Sequence, residues 1–167
     1  MMKKAMFAAI LVALPAGSIA QDGNWGYYEP GDGTMQAGIA GDNGAQLIIK
    51  CDRTGQRRVY AVIVSPTAVA AAKGASGYES RDVTLRFDDR APVDDQWRFN
   101  DKFAMAMDDR NLRAMTRFGG HLADAKTLNV ILKPYQKAPV QLSFDVTGAR
   151  PALQRVYEAC KDEIPFN

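Results

Sequence analysis

Met35-Gln-Ala-Gly-Ile-Ala-Gly41, Asp42-Asn43-Gly44 and Ala45-Gln-Leu-Ile-Ile-Lys-Cys51 read in succession as a strand, a turn and a strand. Asn-Gly is the strongest short hairpin signal, because a type I′ turn needs positive φ at both central residues. In the second strand Leu47, Ile49 and Cys51 fall on one face, since side chains alternate with a period of two. The same kind of pattern continues along the chain. Arg57 to Ser65 is the most β-branched run, with Val59, Tyr60, Val62, Ile63 and Val64, and Pro66 ends it. Val83, Leu85 and Phe87 alternate with Thr84, Arg86 and Asp88, a half-exposed strand, and Gln96-Trp97-Arg98-Phe99 is another. Residues 128–132 and 140–146 add two more, for about seven strands. Residues 22–34 form a glycine-rich lead with a short strand at Trp25, Tyr27 and Tyr28. The Ala-rich stretch 67–79 reads as one frayed helical turn or a loop.

Two helices complete the pattern. Leu112, Met115 and Phe118 have helical spacing within Asp109 to Phe118. Asp108 and Asp109 stand at its start, where the helix dipole favours negative charge, and Gly119-Gly120 would end it. From about Pro151, a residue suited to a first helical turn, Leu153, Val156, Tyr157 and Cys160 make one apolar stripe. The fold class is therefore mainly β with two helices: antiparallel, β-sandwich-like, with the C-terminal helix docked on the sheet. No repeat, low-complexity segment or linker divides residues 21–167, which read as a single domain.

The first twenty residues read as an export signal. Lys3 and Lys4 form a basic start, Ala5 to Leu14 is apolar, and Ser18-Ile19-Ala20 places small residues where a signal peptidase needs them. The apolar run is shorter than the roughly 20 residues that span a bilayer. No Cys follows the cleavage point, as a lipoprotein would require, and no twin-Arg pair precedes the run. The expected product begins at Gln21, periplasmic or secreted, with no membrane span after signal removal.

Composition sets the exclusions. The chain of 167 residues has 21 Lys plus Arg, 19 Asp plus Glu and a formal charge of +2. Removing Lys3 and Lys4 from the 21 leaves 19 bases against 19 acids, so the surplus belongs to the signal and nucleic acid is not an expected partner. One His and two Cys are too few for an all-protein zinc cage, which wants four such ligands. No metal site and no cofactor are implied. In an oxidising compartment two cysteines are most simply paired. Cys51 projects from an apolar strand face and Cys160 from an apolar helix stripe, so packing that helix on that strand joins them. A redox-active pair would prefer Cys-x-x-Cys spacing, and two free thiols are the remaining alternative.

Several spaced features now carry a resemblance. A strand reaches Cys51, and Arg86-Phe87-Asp88 is followed nine residues later by Trp97. A helix, Leu128-x-Val130, Phe144-x-x-x-Gly148-x-x-x-Ala152 and Cys160 follow. This order, over about residues 45–160, resembles the VasI-like periplasmic proteins associated with type VI secretion. More distantly it resembles the invasion-associated locus B group, from which this chain departs in having no further Cys pair. The resemblance implies a sandwich-like fold with a Cys51–Cys160 bridge and an accessory rather than catalytic role, and it brings no catalytic residues to transfer.

Candidate chemistry is sparse. His121 lies close to Asp124, but no Gly-x-Ser-x-Gly elbow accompanies it, and Gly74-Ala75-Ser76-Gly77 falls short of one. Acids cluster at Asp88, Asp89, Asp94, Asp95, Asp101, Asp108 and Asp109 without calcium-loop spacing. Asp is also favoured in turns for local reasons. The segment 88–95, with Asp88, Asp89, Asp94 and Asp95, is the expected ligand or partner loop. Arg110, Arg113 and Arg117 would line one side of the middle helix, as an anion site or a solvated face. Trp25, Tyr27 and Tyr28 form an exposed aromatic patch or pack against the sandwich. The expected function is a non-enzymatic periplasmic accessory or binding protein whose partner is another periplasmic or secreted protein. Alternatives are an inhibitor or immunity-type protein of an exported hydrolase, and a small secreted hydrolase.

Overall fold

The structure, a computed structural model, describes residues 24–29, 35–52, 58–74 and 77–167. The export signal at 1–20 and the Ala75-Ser76 dipeptide lie outside the described residues. Nine strands are seen: β1 (Gly26–Tyr28), β2 (Gln36–Ala40), β3 (Gln46–Lys50), β4 (Tyr60–Val64), β5 (Glu79–Phe87), β6 (Val93–Asn100), β7 (Phe103–Ala106), β8 (Thr127–Leu132) and β9 (Val140–Asp145). Helix α1 (Ala114–Leu122) lies between β7 and β8, and α2 (Ala149–Cys160) follows β9.

The expectation of a mainly antiparallel β fold with two helices holds. Seven strands become nine because β1 is present and β7 escaped the periodicity: Phe103–Ala106 is apolar at all four positions, so no polar–apolar alternation shows. All nine join in one antiparallel sheet, ordered β1-β2-β3-β4-β7-β6-β5-β8-β9. Register carries one apolar face across it. Leu47 pairs with Ile63, Ile63 with Ala104, and Ala104 with Phe99. Further along, Val83 pairs with Leu132, Leu85 with Val130, and Val130 with Leu142. A one-residue slip at any ladder would turn that strand's apolar set to water. Both helices pack on this face, α1 with Met115, Phe118 and Leu122 and α2 with Leu153, Val156 and Tyr157, all buried. Burial of these side chains is worth roughly 1.5–3 kcal/mol each.

The sheet is not closed, but its ends approach. Gly41 sits so near β9 that a Cβ there would fall 2.8 Å from the Ser143 carbonyl oxygen and closer still to the Phe144 ring. The Asn24 side-chain amide donates to Asp145 (3.4 Å). The β2–β3 turn has the expected chemistry: Asn43 and Gly44 have φ of 57° and 79°, and the Ala45 N–H donates to the Asp42 carbonyl.

The middle helix corrects its expected span of 109–118. It runs from 114 to 122, Gly119 and Gly120 lie inside it, and Leu112 precedes it. Asp108 nevertheless does the capping. Its carboxylate accepts the backbone N–H of Thr116 (3.1 Å) and the Thr116 hydroxyl, so it serves as a cap side chain from six residues before the first helical one. Between them Asp109 holds a turn, accepting from Asn111 N (2.9 Å) and Leu112 N (2.8 Å). The acids were rightly placed at a helix start, but the intervening turn shifts the helix. The stretch after Pro66 is a loop rather than a helical turn, and the N–H groups of Val69 and Ala70 donate to the Asp101 carbonyl. The last helix starts two residues before Pro151, at Ala149.

Candidate functional site

Cys51 and Cys160 are joined in a disulfide, with 6.2 Å between their Cα atoms. Cys51 directly follows β3 and Cys160 ends α2. Both are buried, so the bond fastens the C-terminal helix to the inner face of the sheet.

The four acids of the expected ligand loop do not form one. The turn between β5 and β6 covers only residues 88–92, because β6 begins at Val93; Asp94 and Asp95 are on the strand and face opposite sides of it. Asp88, with φ of 51°, accepts the backbone N–H groups of Lys126 (2.8 Å) and Thr127 (2.9 Å), which ties this turn to the start of β8. Those two N–H groups, Thr127 first, hold its carboxyl below the ordinary carboxylate range. Asp94 is lowered by the Thr84 hydroxyl and then by Lys133, whose Nζ is 3.3 Å away. The Asp95 side chain is almost covered, paired with the Arg117 guanidinium and accepting from Gln96 N (2.8 Å). Asp89 stands exposed at the tip of the turn. Three of the four carboxylates are thus joints of the fold pointing in three directions. Among the described residues no three His, Cys, Asp or Glu side chains gather where a metal ion could sit.

The remaining candidates also separate. His121 is exposed on α1 and stacks on Phe87, ring centroids 5.3 Å apart, while Asp124 is held by Arg150 through two contacts of 3.0 and 2.7 Å. The three arginines form no row on a helix. Arg110 and Arg113 precede α1, Arg113 lies 3.7 Å from Asp108, and Arg117 is on the helix against Asp95. The aromatic group divides. Trp25 is fully buried, Tyr27 lies under the Arg155 guanidinium at 4.3 Å, and only Tyr28 is mostly exposed, at 59%.

Two features were not legible in the sequence. A polar cleft of about 290 Å³ lies where the approach to β4, the start of α1 and the segment after α2 meet. Arg58 donates to the Asp108 carbonyl (3.2 Å) on its wall, and Asp162 accepts Val59 N–H (2.7 Å). The Tyr157 hydroxyl borders it; burial, then the nearby Asp162 and Asp108 carboxylates, push its ionisation far above the usual phenol range. It is a neutral donor at any physiological pH. Tyr157 read as one more residue of an apolar stripe, and no sequence signal placed Arg58 or Thr116 beside it.

A larger cleft of about 520 Å³ lies on the outer face of the sheet, along β9. Thr84 and Arg86 of β5, Asn129 and Ile131 of β8, and Gln141 and Ser143 of β9 line it, bounded by the Asp42-Asn43 turn and Pro92. Arg86, Asn129 and Ser143 are register neighbours in one row, as are Thr84, Ile131 and Gln141. The 140–146 run was readable as a strand, but nothing in it says that its strand is the last of the sheet.

Comparisons with known proteins add the following. The crystal structure of invasion associated protein B from Bartonella henselae is similar to this chain at 17% sequence identity, covering 76% of this chain and 94% of that one, with a TM-score of 0.35. No curated protein matches it. The model of the YfjT family matches residues 23–153, from just before the buried Trp25 into the middle of α2, and the chain belongs to the YfjT family.

Proposed function

We propose that this chain is a non-enzymatic accessory protein of the exported compartment, which holds another exported protein at the β9 edge of its sheet. The observation that carries the reading is the open cleft beside an edge strand whose backbone no other described strand pairs. An edge of unpaired N–H and C=O groups is a template for another chain. A catalytic reading has less support, because His121, Asp124 and the acids of 88–95 are separated and most are engaged in bonds that hold the fold. An acidic plug for a hydrolase has less support too, since Asp94 and Asp95 face opposite sides of a strand. The disulfide favours an oxidising compartment. The finer assignment, to the accessory proteins of type VI secretion, rests on the spaced pattern from Arg86 to Cys160.

The test is capture of partners by the mature, disulfide-bonded protein from a periplasmic fraction, with its own edge-blocked Gln141→Pro variant as control. A protein retained by the wild type and lost with the variant supports the reading, and a secretion-machine component would support the finer one. Turnover of a substrate, abolished by His121→Ala, would overturn it.

A further inference from the structure

We infer that the cleft between the approach to β4, the start of α1 and the segment after α2 binds a small organic amine, whose ammonium group is held by the Tyr157 hydroxyl and the carboxylates of Asp108 and Asp162. This cleft shares no lining residue with the one along β9, so the site stands apart from the reading above.

Tyr157 is the reason to expect a ligand. It lies in the last turn of α2, its ring edge-on to Phe166 with centroids 6.3 Å apart, and it is only 3% exposed. Among the described residues nothing hydrogen-bonds to its hydroxyl. The unpaired polar side-chain atoms sealed away from solvent, among the described residues, are the indole nitrogens of Trp25 and Trp97. The Tyr157 hydroxyl is not sealed with them and opens on the cleft that it lines. A buried polar group without a partner is costly to keep, which makes this hydroxyl a fixed handle for something that enters.

The fold brings two carboxylates to the same place. Lys161 takes a φ of 53° at the end of α2, and the Asp162 N–H turns back to donate to the Tyr157 carbonyl (3.0 Å). Asp162 is then fixed by accepting the N–H groups of Val59 (2.7 Å) and Glu163 (2.9 Å). On the other wall Asp108 is fixed by the Thr116 N–H and hydroxyl. A carboxylate accepts about four hydrogen bonds, so both retain capacity, and neither needs to be ordered when a ligand arrives. Both lie near enough to the hydroxyl to oppose its ionisation, yet neither bonds to it.

Charge selects the class of ligand. The lining carries three carboxylates, Asp108, Asp162 and Glu163, against the guanidiniums of Arg58 and Arg113. Arg58 is turned onto the Asp108 carbonyl, and Arg113 is 3.7 Å from the Asp108 carboxylate with its side chain largely exposed. Asp162 has only backbone partners among the described residues, so its charge is uncompensated. An anion would meet Asp108 and Asp162 beside the hydroxyl. A neutral polyol would leave Asp162 without a counter-charge. A metal ion has no set of three ligating side chains among the described residues. An ammonium group fits, because it brings one positive charge and three N–H donors to two carboxylates and a phenol oxygen. A volume of about 290 Å³ is at the small end of ligand pockets and suits a small molecule. The amine of a free amino acid and that of a polyamine share this chemistry.

The experiment is calorimetric titration of the mature, disulfide-bonded protein with putrescine and with L-alanine at physiological ionic strength. At least one should bind saturably with a Kd below about 1 mM, and the preference between them tells a polyamine from an amino-acid source. Tetramethylammonium keeps the charge but has no N–H, and should bind at least about tenfold more weakly. Tyr157→Phe keeps the ring and should weaken binding about tenfold, and Asp162→Asn at least as much, the scale of one hydrogen bond to a charged group. Asp94→Asn, on β6 outside the cleft, should change nothing. In the wild type the amine should shift the amide resonances of Val59, Thr116 and Glu163, a readout that stands even if a variant does not fold. No saturable binding of either amine, equal binding of tetramethylammonium, binding indifferent to Tyr157→Phe or to Asp162→Asn, or tighter binding of glycerol or inorganic phosphate would each overturn the inference.

Discussion

Replacing both cysteines by alanine tests the longest covalent constraint in the molecule. Cys51 and Cys160 are 109 residues apart, and the loop they close contains every strand from β4 to β9 and both helices. In the chain-entropy account, closing a loop of that length removes denatured-state entropy worth about 4.8 kcal/mol at 25 °C. Residual compactness of the denatured chain lowers the effect, so the expected loss is about 3–5 kcal/mol. Set against the roughly 5–15 kcal/mol of an ordinary domain, that is a large share of the total. Removing the two buried sulfur atoms adds a smaller cavity cost in the same direction. The assay is guanidinium unfolding followed by tryptophan fluorescence, because Trp25 and Trp97 are both fully buried and report on opposite parts of the sheet. The midpoint should fall, and the slope m should rise as the uncrosslinked denatured chain exposes more surface. A loss below about 1 kcal/mol with unchanged m would refute the reasoning, because it would mean that the bond does not constrain the unfolded chain.

Other residues give sharper local tests. Gly41→Ala places a methyl against the Ser143 oxygen and the Phe144 ring, and should cost about 1–3 kcal/mol in urea unfolding; Gly74→Ala, which meets nothing within 4 Å, should be near neutral and serves as the control. Asp108→Ala removes the acceptor for the Thr116 N–H and should cost about 1 kcal/mol, with α1 amides exchanging faster, whereas Asp108→Asn should recover part of the loss. Asp88 has a depressed folded-state pKa, so its contribution is present above the ordinary carboxylate value near 3.9 and is lost as pH falls through the folded value. Asp88→Asn should therefore be less stable than wild type at pH 7, with the difference shrinking below about pH 4; a gap that widens in acid would contradict this sign.

Local signals survived wherever the physics was local. The Asn43-Gly44 pair needed only its own φ angles, the alternation at 83–87 only its neighbours, and the stripe from Leu153 to Cys160 only the helical period. β7 was missed because Phe103–Ala106 is apolar throughout and carries no alternation. The middle helix was displaced because Asp108 caps across a turn, not beside the helix. The 88–95 loop failed for a related reason. Four nearby acids look like one cluster in a line of text, but the strand β6 begins inside the segment and alternation sends Asp94 and Asp95 to opposite faces.

By itself, then, the sequence determined most of the elements, their apolar faces and, with only two cysteines projecting from two such faces, the covalent link. Each depends on contacts within a few residues or on there being one possible pair. Tertiary structure alone decided the strand order, and therefore which strand is the edge. Val140–Asp145 has the same alternating pattern whether it lies in the middle of a sheet or at its margin. It is the last strand only because β8 covers one side and, among the described residues, no strand pairs with the other, where the turn at Gly41 lies against Ser143 and Phe144.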